Sequence, residues 1–155
     1  MNNSDDTGIR FFYFNTAHAV SVHDWIIEHS GGLAGTKDIG QLESPLKHIQ
    51  NDWYYPEMED KLTHLVFSIN KNHAFNDGNK RSSLALGAYF LELNGFDYVV
   101  KRFVKEMENI AVWVADNMIG KDLLHQIISS VIYEDDYSEA IKLAILEAVE
   151  QLNQG

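Results

Sequence analysis

The chain has 155 residues, 45% of them hydrophobic, enough for one well-filled core and with no compositional reason to divide it. Asp and Glu number 23 against 12 Lys and Arg, and a net charge of -11 would repel a phosphodiester backbone, so nucleic-acid binding is excluded as the expected role. No apolar run approaches the roughly 20 residues of a membrane span, the start MNNSDDTGIR is acidic where a secretory signal is basic, and without cysteine there is no disulfide or thiolate chemistry; a cytoplasmic location with no membrane contact is the expectation.

In chain order the pattern is mostly helical. Residues 16–29 place Val20, Val22, Trp25, Ile26 and His29 behind a capping residue, and Gly31-Gly32 stops them. The glycine-rich stretch GGLAGTKDIG (31–40) is read as a loop, after which Asp38 can cap a short helix running toward Gln50. Pro45 either opens a new helix capped by Ser44 or falls inside and bends the segment. Residues 57–72 put Leu62, Leu65, Val66 and Ile69 on one helical face. Residues 79–93 are rich in strong helix formers and end at Asn94-Gly95. FDYVV (96–100) reads as a short extended or hairpin-like piece, and residues 104–117, 121–133 and 137–153 each read as helix. An all-α fold is expected, with room for a short β-hairpin flap.

Chemistry concentrates in HAFNDGNKR, residues 73–81, between two of these helices. His73 can take or give a proton. The start of the following helix offers unpaired backbone N–H groups and the positive end of its dipole, a cradle for phosphate. There Gly78 allows close backbone approach, Asn79 can donate an amide hydrogen, and Arg81 presents a planar fork. Asp77 can offer an oxygen to Mg²⁺ beside substrate phosphates. Lys71 and Lys80 join Arg81 in a basic island around His73, suited to a small phosphorylated ligand. The plainer alternative is an Asn-Asp-Gly turn with a histidine stabilising a helix C-terminus.

The nonapeptide resembles the signature of the Fic/Doc family, His-x-Phe-x-(Asp/Glu)-Gly-Asn-x-Arg, at His73, Phe75, Asp77, Gly78, Asn79 and Arg81. Residues 23–44 and LELNGF (91–96) resemble its death-on-curing (Doc) branch, and together the likeness covers about residues 18–130. It implies a compact all-helical domain with the motif loop and following helix at the centre, here residues 16–135, flanked by an N-terminal segment (1–15) and an additional C-terminal helix (136–155). It also implies an enzyme that uses ATP or a related nucleotide with Mg²⁺ to modify a hydroxyl of a target protein. His73 would then be the base, Phe75 the anchor of the loop and Asp77 the metal ligand, with Gly78, Asn79, Lys80, Arg81 and Lys71 around the phosphates.

Lys80 and Leu84 depart from the AMP-transferring members, which carry glycine and a second arginine there, and point to Doc-like phosphoryl transfer. Gly78 points back, since Doc itself often has alanine at that position. AMP transfer and an inactive nucleotide- or partner-binding module stay as alternatives. SVIYED (130–135) resembles the family's inhibitory helix except at its last residue, but the arginine its glutamate would pair with is Leu84 here. The resemblance implies instead a separate antitoxin, with a translation elongation factor as the leading target and the 31–40 loop helping to dock it. The C-terminal face of Ala140, Ile141, Ala144, Ile145, Ala148 and Leu152 can pack on the core, fill the antitoxin groove or form a homodimer contact. His18, His23 and His29 are expected at the surface or as caps, because spacings of five and six do not share a helix face.

Overall fold

A computed structural model describes residues 10–154, and these form seven helices: α1 Thr16–Ser30, α2 Gly40–His48, α3 Met58–Lys71, α4 Asn79–Leu93, α5 Val100–Ala115, α6 Lys121–Tyr133 and α7 Glu139–Gln154. The fold is all-α. Among the described residues there is no strand, and the one β feature is an isolated antiparallel bridge between Thr36 and Phe75. No helix among them is long and apolar enough to cross a membrane.

α3 is the central element because its burial is not confined to the stripe of Leu62, Leu65, Val66 and Ile69. Met58, Lys61, Thr63, His64, Ser68 and Asn70 are buried as well, and a helix buried on nearly every face must have neighbours all round. It packs against α2, α4, α5 and α6, while α1 lies across α2 and α4 and α7 lies on α6. A capping box opens α3, with Glu57 and Asp60 each bonding the other's backbone.

The expected extended piece at 96–100 is a correction. Asp97–Val99 is a single turn of 3-10 helix that runs directly into α5. The Phe96 N–H bonds the Leu91 carbonyl, which folds the chain back at the end of α4. From there Val99, Phe103, Met107, Ile110 and Val114 are buried at spacings of three and four, and that helical stripe outweighs the β preference of two adjacent valines. Pro45 lies inside α2, where its missing N–H leaves the Gln41 carbonyl without an intrahelical partner.

The N-terminal residues from 10 onward lie against the core. Phe14 is buried beside Phe90, and Asn94 bonds both the N–H and the carbonyl of Phe12. Lys61 is fully buried, with its ammonium bonded to the Ile49 carbonyl at 2.6 Å and to Asp52 at 2.7 Å, and it sits over the ring of Phe11. A buried ammonium survives only with such partners. Here they pin the N-terminal segment and the end of α2 to α3. Ile141, Ile145 and Ala148 of α7 pack against the core, so that helix takes the core-packing option; the Leu152 side chain lies outside the described residues. Trp53 and Tyr54 are largely exposed, and Tyr55 turns inward against His64.

At the α3 end remote from His73, His64 Nδ1 lies 2.7 Å from the Lys121 ammonium and Nε2 lies 3.1 Å from His48 Nδ1. An ammonium can only donate, so His64 accepts at Nδ1 and carries its proton on Nε2. Burial, then the charges of Lys121 and His48, push its pKa down to about 4. A depressed histidine pKa favours the neutral form in the fold, so the stability it confers is full above the ordinary histidine range and is lost as pH falls toward 4. An NMR titration of the imidazole should show a midpoint near 4; a midpoint near 6.5 would mean that the histidine–lysine contact is not formed.

Candidate active site

The motif is the joint between α3 and α4. α3 ends at Lys71 with Asn72 as its cap, and His73 follows at φ 53, in the left-handed region. Glycine normally occupies that place after a helix, because a side chain there is strained by about 1–2 kcal/mol. His73 is exposed, and its imidazole has no hydrogen bond among the described residues. The strain therefore falls on a residue whose side chain the fold does not use.

The next residues are held firmly. The Ala74 carbonyl accepts from the backbone of Lys37 at 2.8 Å and Asp38 at 3.1 Å, and Asn76 bonds the Gly35 and Ala34 carbonyls through its backbone and side chain. The glycine-rich 31–39 segment is thereby laced to the motif. Phe75 is 1% exposed and stacks on the His23 imidazole, with centroids 3.7 Å apart and planes 3° from parallel. Its ring belongs to the hydrophobic core. His23 reaches further, its Nε2 donating to the Asp77 carbonyl at 2.6 Å.

Asn79 also holds the turn. Its side-chain oxygen accepts from the Phe75 N–H at 3.1 Å and its amide donates to the Phe75 carbonyl at 3.0 Å, both buried. This closed pair clamps the turn with one of the two amide hydrogens, and the second is not used by any bond among the described residues. What the start of α4 offers is backbone: Ser82 is the first residue whose N–H pairs back to the turn, at the Gly78 carbonyl, so the N–H groups of residues 79–81 have no intrahelical partner. Gly78 sits at φ 79 and ψ 16, and a Cβ there would lie 3.2 Å from Ile27 and 3.4 Å from His23 Nε2. Backbone conformation thus accounts for glycine at position 78.

Asp77 is the charged centre. One carboxylate oxygen accepts from the Leu33 N–H at 3.0 Å and the other from the Gly78 N–H at 2.8 Å. These two bonds, with the Arg81 guanidinium behind them, hold its pKa below the usual carboxylate range. Arg81 Nη1 donates to Ser30 Oγ at 2.7 Å and to the Gly31 carbonyl at 2.8 Å, while Nη2 lies 3.8 Å from Asp77. Lys80 is exposed, with no partner among the described residues.

His73, Asn76, Asp77, Gly78, Asn79, Lys80 and Arg81 line one cavity of about 260 Å³, closed on the far side by Asn70 and Ala115. Lys71 is not part of it. Its ammonium turns to the end of α5, bonding the Ala115 carbonyl and the Asn117 side chain. The 130–135 segment is remote as well. Tyr133 bonds Glu59 at the start of α3, and α3 spans about 21 Å from there to the motif at 1.5 Å per residue. The Glu134 carbonyl accepts from Arg102.

Sequence reasoning missed His23, Ser30, the Leu33 N–H and Asn70. His23, expected at the surface, is fully buried; the likeness of residues 23–44 to the family was the one available signal for it. His18 stacks on Tyr89 and His29 bonds the Trp25 carbonyl, so neither serves the cavity.

The sequence model of the Fic/DOC family matches residues 13–91, half of the chain, from before α1 to near the end of α4. The chain belongs to the Fic/DOC family. It is similar to a protein named protein kinase doc from Escherichia phage P1, 36% identical over 80 residues, which is 49% of this chain and 63% of that relative, under two thirds of its length. It is also similar to a protein named toxin Doc from Mycolicibacterium smegmatis, 34% identical over 89 residues, 55% of this chain and 68% of the relative. The matched span holds α1, the motif and nearly all of α4, the elements that the bonds from His23, Ser30 and Gly31 join.

Because His73 is strained and unpaired, His73→Gly should raise stability by about 1 kcal/mol. Urea unfolding with an unchanged m-value checks this, and a loss of stability would show that the imidazole supports the fold.

Proposed function

We propose that this Fic/DOC protein transfers the γ-phosphoryl group of ATP to a hydroxyl of a target protein. The observation that carries the reading is the single cavity where His73, unpaired, faces an anion cradle of free α4 N–H groups, Lys80 and Arg81. The phosphates would rest on the backbone of residues 79–81 with Lys80 beside them. His73 would take the hydroxyl proton as the new O–P bond forms and the bond from γ-phosphorus to the bridging oxygen breaks.

Asp77 fits a Mg²⁺ ion. Its carboxylate is kept ionised, and two N–H donors leave about half of its four lone-pair sites open. Among the described residues no group of three carboxylates or histidines could hold a metal unaided. One carboxylate with substrate phosphates as the remaining ligands is the usual Mg²⁺ arrangement. When bound, the ion would neutralise charge on the phosphate oxygens.

Lys80 and Leu84 favour phosphoryl over AMP transfer. Leu84 packs against the hydrophobic core, so its position supplies no second cation for a γ-phosphate. Gly78 does not weigh the other way, since its left-handed backbone explains it. The phage relative named a protein kinase agrees with this direction. On the same reading the protein works in the cytoplasm as a toxin held by an antitoxin partner, and a translation elongation factor is the first target to test.

Incubation with a bacterial lysate and γ- or α-labelled ATP decides the chemistry. Label on a protein from the γ position alone is expected, and label from the α position alone would establish AMP transfer instead. His73→Ala should lower transfer at least about 100-fold; undiminished transfer would remove His73 as the base, and no transfer by the unmodified protein with any lysate would favour a binding module.

A further inference from the structure

Arg81 has five N–H donors in a rigid fork, and both hydrogens of Nη1 are already engaged, one by Ser30 Oγ at 2.7 Å and one by the Gly31 carbonyl at 2.8 Å. The Ser30 hydroxyl is itself oriented. It donates to the Ile26 carbonyl at 2.7 Å, one turn back in α1, so its lone pairs must face outward toward the guanidinium. The approach is close on the other side too, where a Cβ on Gly32 would lie 2.9 Å from Arg81 Nη2 and 2.6 Å from Asp77 Oδ2. The C-terminus of α1 therefore forms a seat of one hydroxyl and one carbonyl, beside a backbone with no side chain to push the guanidinium out.

We infer that Ser30 is a positioning residue for the phosphate site: by holding Nη1 it fixes the plane of Arg81, so that Nη2 stays beside Asp77 and the Nε–H keeps one direction for a phosphate oxygen. This rests on the reading of the cavity as a nucleotide site, and it adds a group outside the motif. A guanidinium free to rotate would offer phosphate any of its edges and lose side-chain entropy on binding; one seated in advance loses little. The C-terminal carbonyls of α1 also draw a cation to this place through the helix dipole. Ser30 never touches the phosphate in this arrangement, and its influence passes wholly through Arg81.

Two measurements on the full chain test this, using Ser30→Ala and the conservative Ser30→Thr. In the free protein, ¹H–¹⁵N spectra of the arginine side chains report whether the Arg81 Nε–H is ordered; the chain has three arginines, and Arg81→Lys assigns the signal. An ordered Arg81 in the unmodified protein, released in Ser30→Ala and restored in Ser30→Thr, is expected. Calorimetry with Mg²⁺–ATP should then show binding weakened about tenfold in Ser30→Ala, as for one lost bond to a charged group, with Ser30→Thr near the unmodified value and all three melting together. Arg81 mobile in the unmodified protein, or equally ordered in Ser30→Ala, overturns the seat, and mobility without weaker binding overturns the positioning. If the unmodified protein binds no Mg²⁺–ATP, the nucleotide reading fails while the spectra still decide whether Ser30 seats Arg81.

Discussion

The geometry of the site depends on one buried contact, the His23 imidazole lying flat on Phe75 and donating to the Asp77 carbonyl. Each half does something the other cannot. The stack places two flat groups 3.7 Å apart in the core and fixes the height of the motif loop. The hydrogen bond satisfies a turn carbonyl and sets the direction in which the chain leaves Phe75. From that direction follow the left-handed Gly78, the free N–H groups of α4 and the aim of Asp77.

Around this contact the fold separates what is held from what is left available. Phe75 and Asn79 are paired to each other and to α1, and the 31–39 segment is bonded to Ala74 and Asn76. His73 and Lys80 have no partner among the described residues, while Asp77 keeps part of its carboxylate open. The groups with work to do on a ligand are thus mounted on a turn whose backbone is tied at Ala74, Phe75, Asn76 and the Asp77 carbonyl. Such preorganisation lowers the cost of ordering them when phosphate arrives. Two buried side-chain atoms of the site have no hydrogen-bond partner among the described residues, Nδ1 of His23 and the Asn70 oxygen. The Asn70 amide donates to the Ala111 carbonyl, and its oxygen is buried without a partner beside the cavity.

Much of this was legible in the sequence, and the exceptions share a cause. α1, α3 and α4 follow from apolar spacing and clear stop signals, and the motif follows from its own residues. Local pattern failed where a long-range contact decides the outcome. Residues 96–100 carry β-branched side chains, yet burial of Val99 with Phe103 and Met107 draws them into α5. His23 looked like a surface histidine because its partners lie 52 and 54 residues away, at Phe75 and Asp77. Lys71 has the right chemistry for phosphate, but the end of α5 takes its ammonium, and Asn79 spends its oxygen and one amide hydrogen on the Phe75 backbone. A side chain's chemical capacity can be read from sequence; its existing bonds cannot.

The most direct test of this account is the affinity for Mg²⁺–ATP of His23→Phe measured by calorimetry, since phenylalanine keeps an aromatic ring for the stack and removes only the donor to Asp77. The account predicts a folded protein whose affinity falls about tenfold or more, as expected when the loss of a buried hydrogen bond lets the turn move. Unchanged affinity in a folded variant would contradict it, because the turn would then hold its shape without the contact from which the rest of the site has been derived.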